Sequence, residues 1–234
     1  MRSDRSEAGA AENPRPAPLA AKGEREPGRL SRKQRDFRRH QRDTLQAAER
    51  LLFEHSYQDI TVQQIAQEAE FSIGYIYKLF PNKEEIFASV IRERHREMFE
   101  LIEQGLKMPT PVPERFHSLL VRLFEWIDEH MAYTASSWRD LSYLFKQNAE
   151  LHEEVNRRDR EIRDRFTELF AEGIRIGYLA AEDPQTIALV FRAVLWGLVR
   201  TRLTEGTQEQ DTTRLAALTM RVITRTFAPD GLEN

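Results

Sequence analysis

Residues 61–85 have the sequence TVQQIAQEAEFSIGYIYKLFPNKEE, which contains two short helical segments separated by a tight turn. Thr61 is followed three residues later by Gln64, the pattern of a capping box, so a helix is predicted to start there. Ser72 is predicted to cap the second helix. Pro81 ends that helix, because proline disfavours a helical conformation in the residue before it. A unit of these dimensions is typical of a helix-turn-helix, in which the second helix, here residues 72–80, lies in the major groove of DNA.

The rest of the chain from Leu30 onward also favours helices. Gly and Pro are sparse, and no stretch alternates apolar and polar residues for the length of a strand. We therefore predict an all-α fold. Besides the two short helices, the predicted helices cover residues 31–55, 82–106, 113–131, 135–147, 150–176, 184–204 and 212–227.

The charge of the chain is unevenly distributed. The net charge is −3, yet residues 29–42 carry seven Lys or Arg against one acid, Asp36, and so have a net charge of +6. Residues 43–90, which include the helix-turn-helix, carry eight acids against three bases, a net charge of −5. The basic segment is thus the expected source of electrostatic attraction to phosphates, although a solvated charge run has the same composition.

Several classes of protein are disfavoured by what the sequence lacks. The absence of cysteine excludes a disulfide framework, a thiolate metal site and a cysteine nucleophile. No run approaches the ~18 apolar residues of a membrane span, and the N-terminus lacks the apolar core of a signal peptide. No metal-ligand spacing, nucleophile motif, phosphate loop or paired-carboxylate signature is present. We expect a cytoplasmic protein that is not an enzyme, with no catalytic residue, cofactor, metal or membrane association.

Residues 43–91, DTLQAAERLLFEHSYQDITVQQIAQEAEFSIGYIYKLFPNKEEIFASVI, resemble the DNA-binding domain of the TetR family of transcriptional regulators. The match departs from the family pattern at two positions, Ser56 and Glu70, where relatives usually have glycine. Both positions favour left-handed backbone, so we expect strain or adjustment there. The residues that carry the resemblance are Leu45, Ala47, Ala48, Leu51, Phe53, Tyr57, Ile60, Thr61, Val62, Ile65, Ala66, Ala69, Ser72, Tyr77, Phe80, Lys83, Glu84 and Ile86.

The resemblance implies roles for individual residues in binding double-stranded DNA. Thr61 and Ser72 are helix caps first, and this role is compatible with a phosphate contact. For Tyr77 and Lys83 the alternatives are a packing tyrosine and a solvated lysine. The residues predicted to contact phosphates are Arg38, Arg39, Arg42, Thr61, Ser72, Tyr77 and Lys83. The residues predicted to face bases are Gln63, Ile73, Gly74, Tyr75 and Lys78.

The C-terminal part of the chain is expected to form a homodimer and to bind a small-molecule effector, as relatives do. Residues 186–199 are apolar nearly all round, which predicts a helix buried on two sides, although a central helix of a monomer has the same pattern. The predicted dimer residues are Ile187, Phe191, Val194, Trp196, Leu198, Leu215, Leu218 and Val222. The effector is expected among the middle helices, where the candidate contacts are His117, Trp126, His130, Trp138, Arg139 and Phe166.

The predicted organisation has four segments. Residues 1–28 form a disordered tail, residues 29–91 the basic arm and DNA-binding domain, residues 92–228 the effector-binding and dimerisation domain, and residues 229–234 a short tail. The resulting hypothesis is a ligand-responsive repressor that binds a palindromic operator as a dimer. Repression is preferred over activation only because members of the resembled family are usually repressors. The alternative is a helical adaptor of the same fold that lacks specific DNA binding.

Overall fold

The fold is all-α, as predicted. The computed structural model describes residues 31–205 and 211–229, with the backbone alone at positions 132, 136–142 and 205. The predicted tail 1–28 therefore lies outside the described residues, as does all of the second tail except Pro229. The helices are α1 (Arg32–Glu54), α2 (Val62–Glu68), α3 (Ile73–Leu79), α4 (Lys83–Leu106), α5 (Val112–Glu129), α6 (Met131–Gln147), α7 (Ala149–Arg175), α8 (Pro184–Glu205) and α9 (Thr212–Thr226).

The junction between α5 and α6 differs from the prediction. The sequence pattern places the start of α6 at residue 135, but the helix begins at Met131, directly after His130. His130 alone leaves the helical conformation, with φ −114° and ψ 35°. No glycine or proline marks this bend, so the sequence offers no local signal for its position.

The helices form a small N-terminal unit, α1 to α3, against a larger bundle built around α4. Helix α4 packs against α1 on one side and against α5 and α7 on the other. In the bundle, Phe116, Phe170 and Phe191 meet with ring centroids 5.4 to 5.6 Å apart, so α5, α7 and α8 share one aromatic core. This core and the α4 contacts hold α4 in place from residue 83 to residue 106.

A buried ion-pair network joins the N-terminal unit to the bundle. The Arg94 guanidinium on α4 donates to Glu49 of α1 at 2.8 and 3.1 Å and to Glu97 one turn further along α4. It also lies 3.0 Å from Nε2 of His130, whose Nδ1 lies 2.8 Å from the carbonyl of Trp126. The network therefore ties α1, α4 and the α5–α6 junction together.

We expect Arg94→Leu to lower the free energy of unfolding by about 3 kcal/mol, because it leaves the Glu49 and Glu97 carboxylates without their shared cation in a partly buried site. Arg96→Leu is the matched control. The Arg96 side chain is 55% exposed and its ion pairs lie at the surface, so the expected loss is under about 1 kcal/mol. Urea denaturation followed by circular dichroism measures both. Equal losses would contradict a special role for Arg94.

Candidate functional site

The predicted helix-turn-helix is present as α2, a turn over residues 69–72 and α3. Thr61 caps α2 through a reciprocal pair, with Gln64 N–H donating to Thr61 Oγ1 at 3.2 Å and Thr61 N–H donating to Gln64 Oε1 at 2.8 Å. Ser72 caps α3 by accepting from Tyr75 N–H at 3.2 Å. The two capping predictions are therefore confirmed. The phosphate contacts of Thr61 and Ser72 stay predictions.

The turn between α2 and α3 depends on one left-handed residue. Glu70 has φ +57°, and the chain closes there with Phe71 N–H donating to the carbonyl of Ala66 at 2.9 Å. The expected left-handed backbone at Glu70 is confirmed. A glutamate in this conformation costs more conformational free energy than the glycine usual in the family. The expectation for Ser56 is wrong. Within the described part of the chain Glu70 is the sole non-glycine residue at positive φ, and Ser56 instead donates its hydroxyl to Asp59 at 2.7 Å.

The outer face of α3 carries most of the predicted DNA-reading residues. Ile76 and Leu79 are buried against the core, whereas the side chains of Ile73 and Tyr77 are 42% and 53% exposed. Residues four positions apart are neighbours on a helix surface, so the exposed pairs 73 and 77, and 74 and 78, lie side by side on α3. Together with exposed Gln63 on α2, this surface contains Ile73, Gly74, Tyr77 and Lys78.

Tyr75 does not belong to that surface. Its hydroxyl lies 2.7 Å from Nδ1 of His40 on α1, and its ring packs against the rings of His40 and Phe71 at 5.6 and 5.4 Å. The prediction that Tyr75 faces a base is corrected, because the side chain is half-buried and braces α3 against α1. The pattern missed this because it does not show that His40 lies opposite Tyr75.

Lys83 is also placed differently from its prediction. Its ammonium donates to the carbonyls of Tyr57, Gln58 and Ile60 at 2.9, 3.4 and 2.8 Å, and it lies 4.4 Å from the centre of the Tyr57 ring. Burial lowers the pKa of this lysine, and the nearby Glu84 and Asp59 oppose that shift. All three N–H donors face the α1–α2 loop, so we correct the predicted phosphate contact of this side chain to a structural tie.

Most of the basic segment, residues 29–42, belongs to the first half of α1. Ser31 and Gln34 form a capping box, so the helix begins at Arg32 and its first turns project from the core. Arg38, Arg39 and Arg42 are exposed on this part of α1. Their contacts with DNA phosphates stay predictions, and the exposure of the three side chains is compatible with such contacts.

A cavity of about 210 Å³ lies between α4, α5, α7 and α8. Most of its wall is apolar, and one end carries the charged side chains of Asp159, Arg163 and Arg192. Burial raises the pKa of the Asp159 carboxyl, whereas the nearby His95, Arg192 and Arg163 act to lower it. The apolar wall consists of Met98, Ile102, Leu123, Ile127, Ile162, Phe166, Ala188, Phe191, Leu195 and Trp196.

Among the predicted effector contacts whose side chains the structure describes, Phe166 alone lines the cavity. Trp126 and His130 stack on each other at 4.5 Å and belong to the Arg94 network, so we correct their prediction as effector contacts. His117 does not line the cavity either. The side chains of Trp138 and Arg139 lie outside the described residues. Asp159, Arg163 and Arg192 were missed because their convergence results from the packing of α7 against α8.

The outer surfaces of α8 and α9 carry exposed apolar side chains. Leu218 and Val222 are 43% and 36% exposed, and Leu189 on α8 is 58% exposed. By contrast, Ile187, Phe191 and Leu215 are at most 4% exposed within a single chain. We correct their prediction as dimer residues, because side chains buried in the protomer core have no surface to offer a partner. The predicted residues Val194, Trp196 and Leu198 are half-buried.

Two further observations concern other classes of site. In residues 31–205 and 211–229, no group of three His, Asp or Glu side chains is arranged to hold a metal ion. The helices of this same part of the chain include none that is both long enough and apolar enough to cross a membrane.

A helix-turn-helix with an exposed reading face, attached to a helical bundle that contains a cavity, defines a DNA-binding transcriptional regulator. Comparison with known families agrees. Residues 45–90 match the family described as bacterial regulatory proteins, tetR family, and residues 109–200 match the tetracyclin repressor-like C-terminal domain. The chain belongs to the TetR family of transcriptional regulators.

Similar proteins include two from Bacillus subtilis. The chain is 24% identical over 160 residues to the uncharacterized HTH-type transcriptional regulator YhgD, a match that covers 66% of this chain and 80% of YhgD. It is 23% identical over 181 residues to the fatty acid metabolism regulator protein, covering 76% of this chain and 89% of that protein.

A solved structure with the same fold is the fatty acid degradation regulator FadR from Bacillus halodurans. Its TM-score is 0.67 at 22% identity, with 83% of this chain and 97% of that chain covered. FadR from Bacillus subtilis, solved in complex with stearoyl-CoA, has a TM-score of 0.65 at 21% identity and covers 78% of this chain and 97% of that chain.

We expect Lys83→Ala and Lys78→Ala to separate structural and DNA-reading roles. Lys83→Ala should lower the free energy of unfolding by about 2 kcal/mol, because it leaves three loop carbonyls without their charged donor. Lys78→Ala should change that free energy by less than about 0.5 kcal/mol and weaken specific DNA binding by about 1–3 kcal/mol. Thermal denaturation and mobility-shift titration measure the two effects. Unchanged stability in Lys83→Ala would argue against the structural tie.

Proposed function

We propose that this chain is a ligand-responsive repressor that binds a palindromic operator as a homodimer in the cytoplasm. The observation that carries the proposal is the position of the cavity. Met98 and Ile102 of α4 line it, and α4 begins at Lys83, four residues after α3 ends at Leu79. A molecule in the cavity would therefore press on the helix that follows the DNA-reading helix.

DNA recognition in this proposal divides between positioning and specificity. Tyr77, Thr61 and Ser72 contact phosphates, and the basic arm adds sequence-independent attraction. Gln63, Ile73, Gly74 and Lys78 face the bases. Gly74 has open space in its side-chain direction, with no atom within 4 Å of the place a Cβ would occupy, so the backbone itself can approach the groove.

The proposed effector is a molecule with a long acyl chain. The cavity is smaller than the ~300–1,000 Å³ of most ligand sites, so it favours a narrow chain over a bulky ring system. Arg163 and Arg192 at its polar end can pair with a carboxylate or hydrogen-bond a thioester carbonyl. The names of two similar proteins, a fatty acid metabolism regulator and a FadR bound to stearoyl-CoA, support the same class.

Release from DNA would follow from a change in spacing. Filling and widening the cavity displaces α4, and with it the helix-turn-helix. A dimer must place its two reading helices in grooves one helical turn, roughly 34 Å, apart, so a modest displacement prevents both from binding together. The coupling is reciprocal, which means that operator DNA must lower the affinity for the effector by the same factor.

The proposed dimer contact lies on the outer face of α8 and α9. Leu189, Leu218 and Val222 form its exposed apolar part, and the half-buried Val194, Trp196 and Leu198 lie on α8 between inner and outer faces. Exposed apolar side chains gathered on two adjacent helices are the usual mark of an interface.

Ala188→Phe should make the repressor insensitive to its effector. Ala188 lines the cavity and is 8% exposed, so a phenylalanine ring there occupies the space of the acyl chain. An operator selected from random-sequence DNA should still bind, whereas palmitate or palmitoyl-CoA should no longer release it. In the unaltered protein, release should correspond to a roughly 5–150-fold loss of DNA affinity. Ala171→Phe, at an exposed position on α7, is the control. Normal release in Ala188→Phe would refute the cavity as the effector site.

Leu218→Asp combined with Val222→Asp should produce a monomer, because the burial of two carboxylates in an apolar contact is costly. Light scattering after gel filtration measures the mass, and mobility shift should show loss of binding to the full palindrome. Thr213→Asp, exposed at the start of α9, is the control and should leave the dimer intact. A double variant that stays dimeric would move the interface to another surface.

A further inference from the structure

A second concave region, the basic cleft, lies between the first half of α1, the middle of α4 and α7. Its volume is about 870 Å³. Two glutamates, Glu93 and Glu154, line it together with six arginines, so the lining has a net charge of +4. The arginines come from three helices far apart in the sequence. They are Arg35, Arg38, Arg42, Arg92, Arg96 and Arg158.

Part of this charge is not compensated within the chain. Arg92 is held by Glu85 and Glu154 at 2.8 and 2.9 Å. Arg158 lies over the ring of Phe99 at 5.5 Å, a contact that leaves its charge in place. In the described part of the chain, Arg38 and Arg42 lie within 4 Å of no carboxylate. A concave surface with uncompensated guanidinium groups suits an anion that can accept several hydrogen bonds, above all a phosphate.

The cleft extends beyond the DNA-binding unit. Arg96 is thirteen residues along α4 from Lys83, which corresponds to about 20 Å of helix. Arg158 belongs to α7, outside the helix-turn-helix. Arg38 and Arg42, by contrast, lie on the α1 segment predicted to contact phosphates of the DNA. The cleft therefore joins arginines of the predicted DNA-contacting segment with arginines of α4 and α7.

The cleft and the cavity share the helices α4 and α7 but have no lining residue in common. Arg96 of the cleft is two residues before Met98 of the cavity, and Arg158 directly precedes Asp159. Because side chains one or two positions apart do not share a helix face, the cleft is a site separate from the cavity.

We propose that the basic cleft binds the phosphate-bearing end of a small ligand, and that this ligand competes with the DNA backbone for Arg38 and Arg42. The anion site depends only on the cleft. The competition rests on the proposed function, since it requires that the chain binds DNA. Occupation of the cleft then weakens DNA binding directly, in addition to any movement of α4.

Calorimetric titration of the full chain with inorganic triphosphate, at constant ionic strength, tests the anion site. Arg158→Ala should weaken triphosphate binding at least tenfold. Arg157→Ala is the matched control. It removes the same charge from the adjacent position, where the side chain is exposed and pairs with Glu161 at 4.0 Å outside the cleft. Equal triphosphate affinity in the two variants would overturn the proposal.

Competition and the source of the phosphate are tested with the same variants. Triphosphate should raise the apparent Kd for operator DNA in the unaltered protein and in Arg157→Ala, but at least tenfold less effectively in Arg158→Ala. DNA binding indifferent to triphosphate in all three would overturn the competition. Palmitoyl-CoA binding tighter than palmitate in Arg157→Ala, but not in Arg158→Ala, identifies the head group of an acyl ligand as the occupant. The competition would also be overturned if Arg157→Ala and Arg158→Ala responded equally to triphosphate and differed only in their response to palmitoyl-CoA.

Ala188→Phe separates this proposal from the proposed effector cavity. The substitution closes the cavity and leaves the lining of the cleft unchanged, so triphosphate should bind with unaltered affinity. If palmitate fails to bind any variant while triphosphate binding still depends on Arg158, the acyl effector is wrong and the anion site stands.

Discussion

The interaction on which the rest of the structure depends is the buried contact of Arg94 with Glu49. These two side chains are 11% and 13% exposed, and they join α1 of the DNA-binding unit to the middle of α4. Because the guanidinium also contacts Glu97 and His130, one hydrogen-bonded network links the N-terminal unit to α4 and to the α5–α6 junction, alongside the packing of α1 against α4 and α6. Partly buried charges of this kind tolerate few alternative geometries, since a lost partner leaves an uncompensated charge.

Helix α4 connects the functional regions because it contributes to all of them. Its first residue, Lys83, ties the α1–α2 loop, and its cap at Asn82 comes three residues after the end of α3 at Leu79. Further along, the same helix lines the basic cleft and then the cavity. A helix hydrogen-bonded along its length moves largely as a unit, and the proposed release of DNA by a molecule in the cavity depends on this property.

Side chains with a polar tip explain most of the differences between expected and observed roles. Tyr75 and Lys83 occupy positions that sequence comparison associates with DNA, yet both use their polar atoms inside the protein, one on His40 and the other on three carbonyls. The sequence pattern at these two positions is the same whether the side chain faces DNA or the protein interior. A tyrosine or lysine on a helix can reach inward or outward, and the choice depends on partners 23 to 35 residues away.

The sequence by itself determined the all-α class and the helix-turn-helix with its caps at Thr61 and Ser72, because caps depend on residues within three or four positions of each other. The left-handed backbone at Glu70 was expected only from the glycine that the resembled family has at this position, and the same expectation was wrong at Ser56. The sequence also determined the family, since the pattern of residues 43–91 is dense enough to be specific. Only the tertiary structure decided which residues line the cavity, that Ile187, Phe191 and Leu215 are core, and that arginines of α1, α4 and α7 share one cleft. Those features arise where helices distant in sequence pack together, and hydrophobic periodicity shows that a face is buried without showing what lies against it.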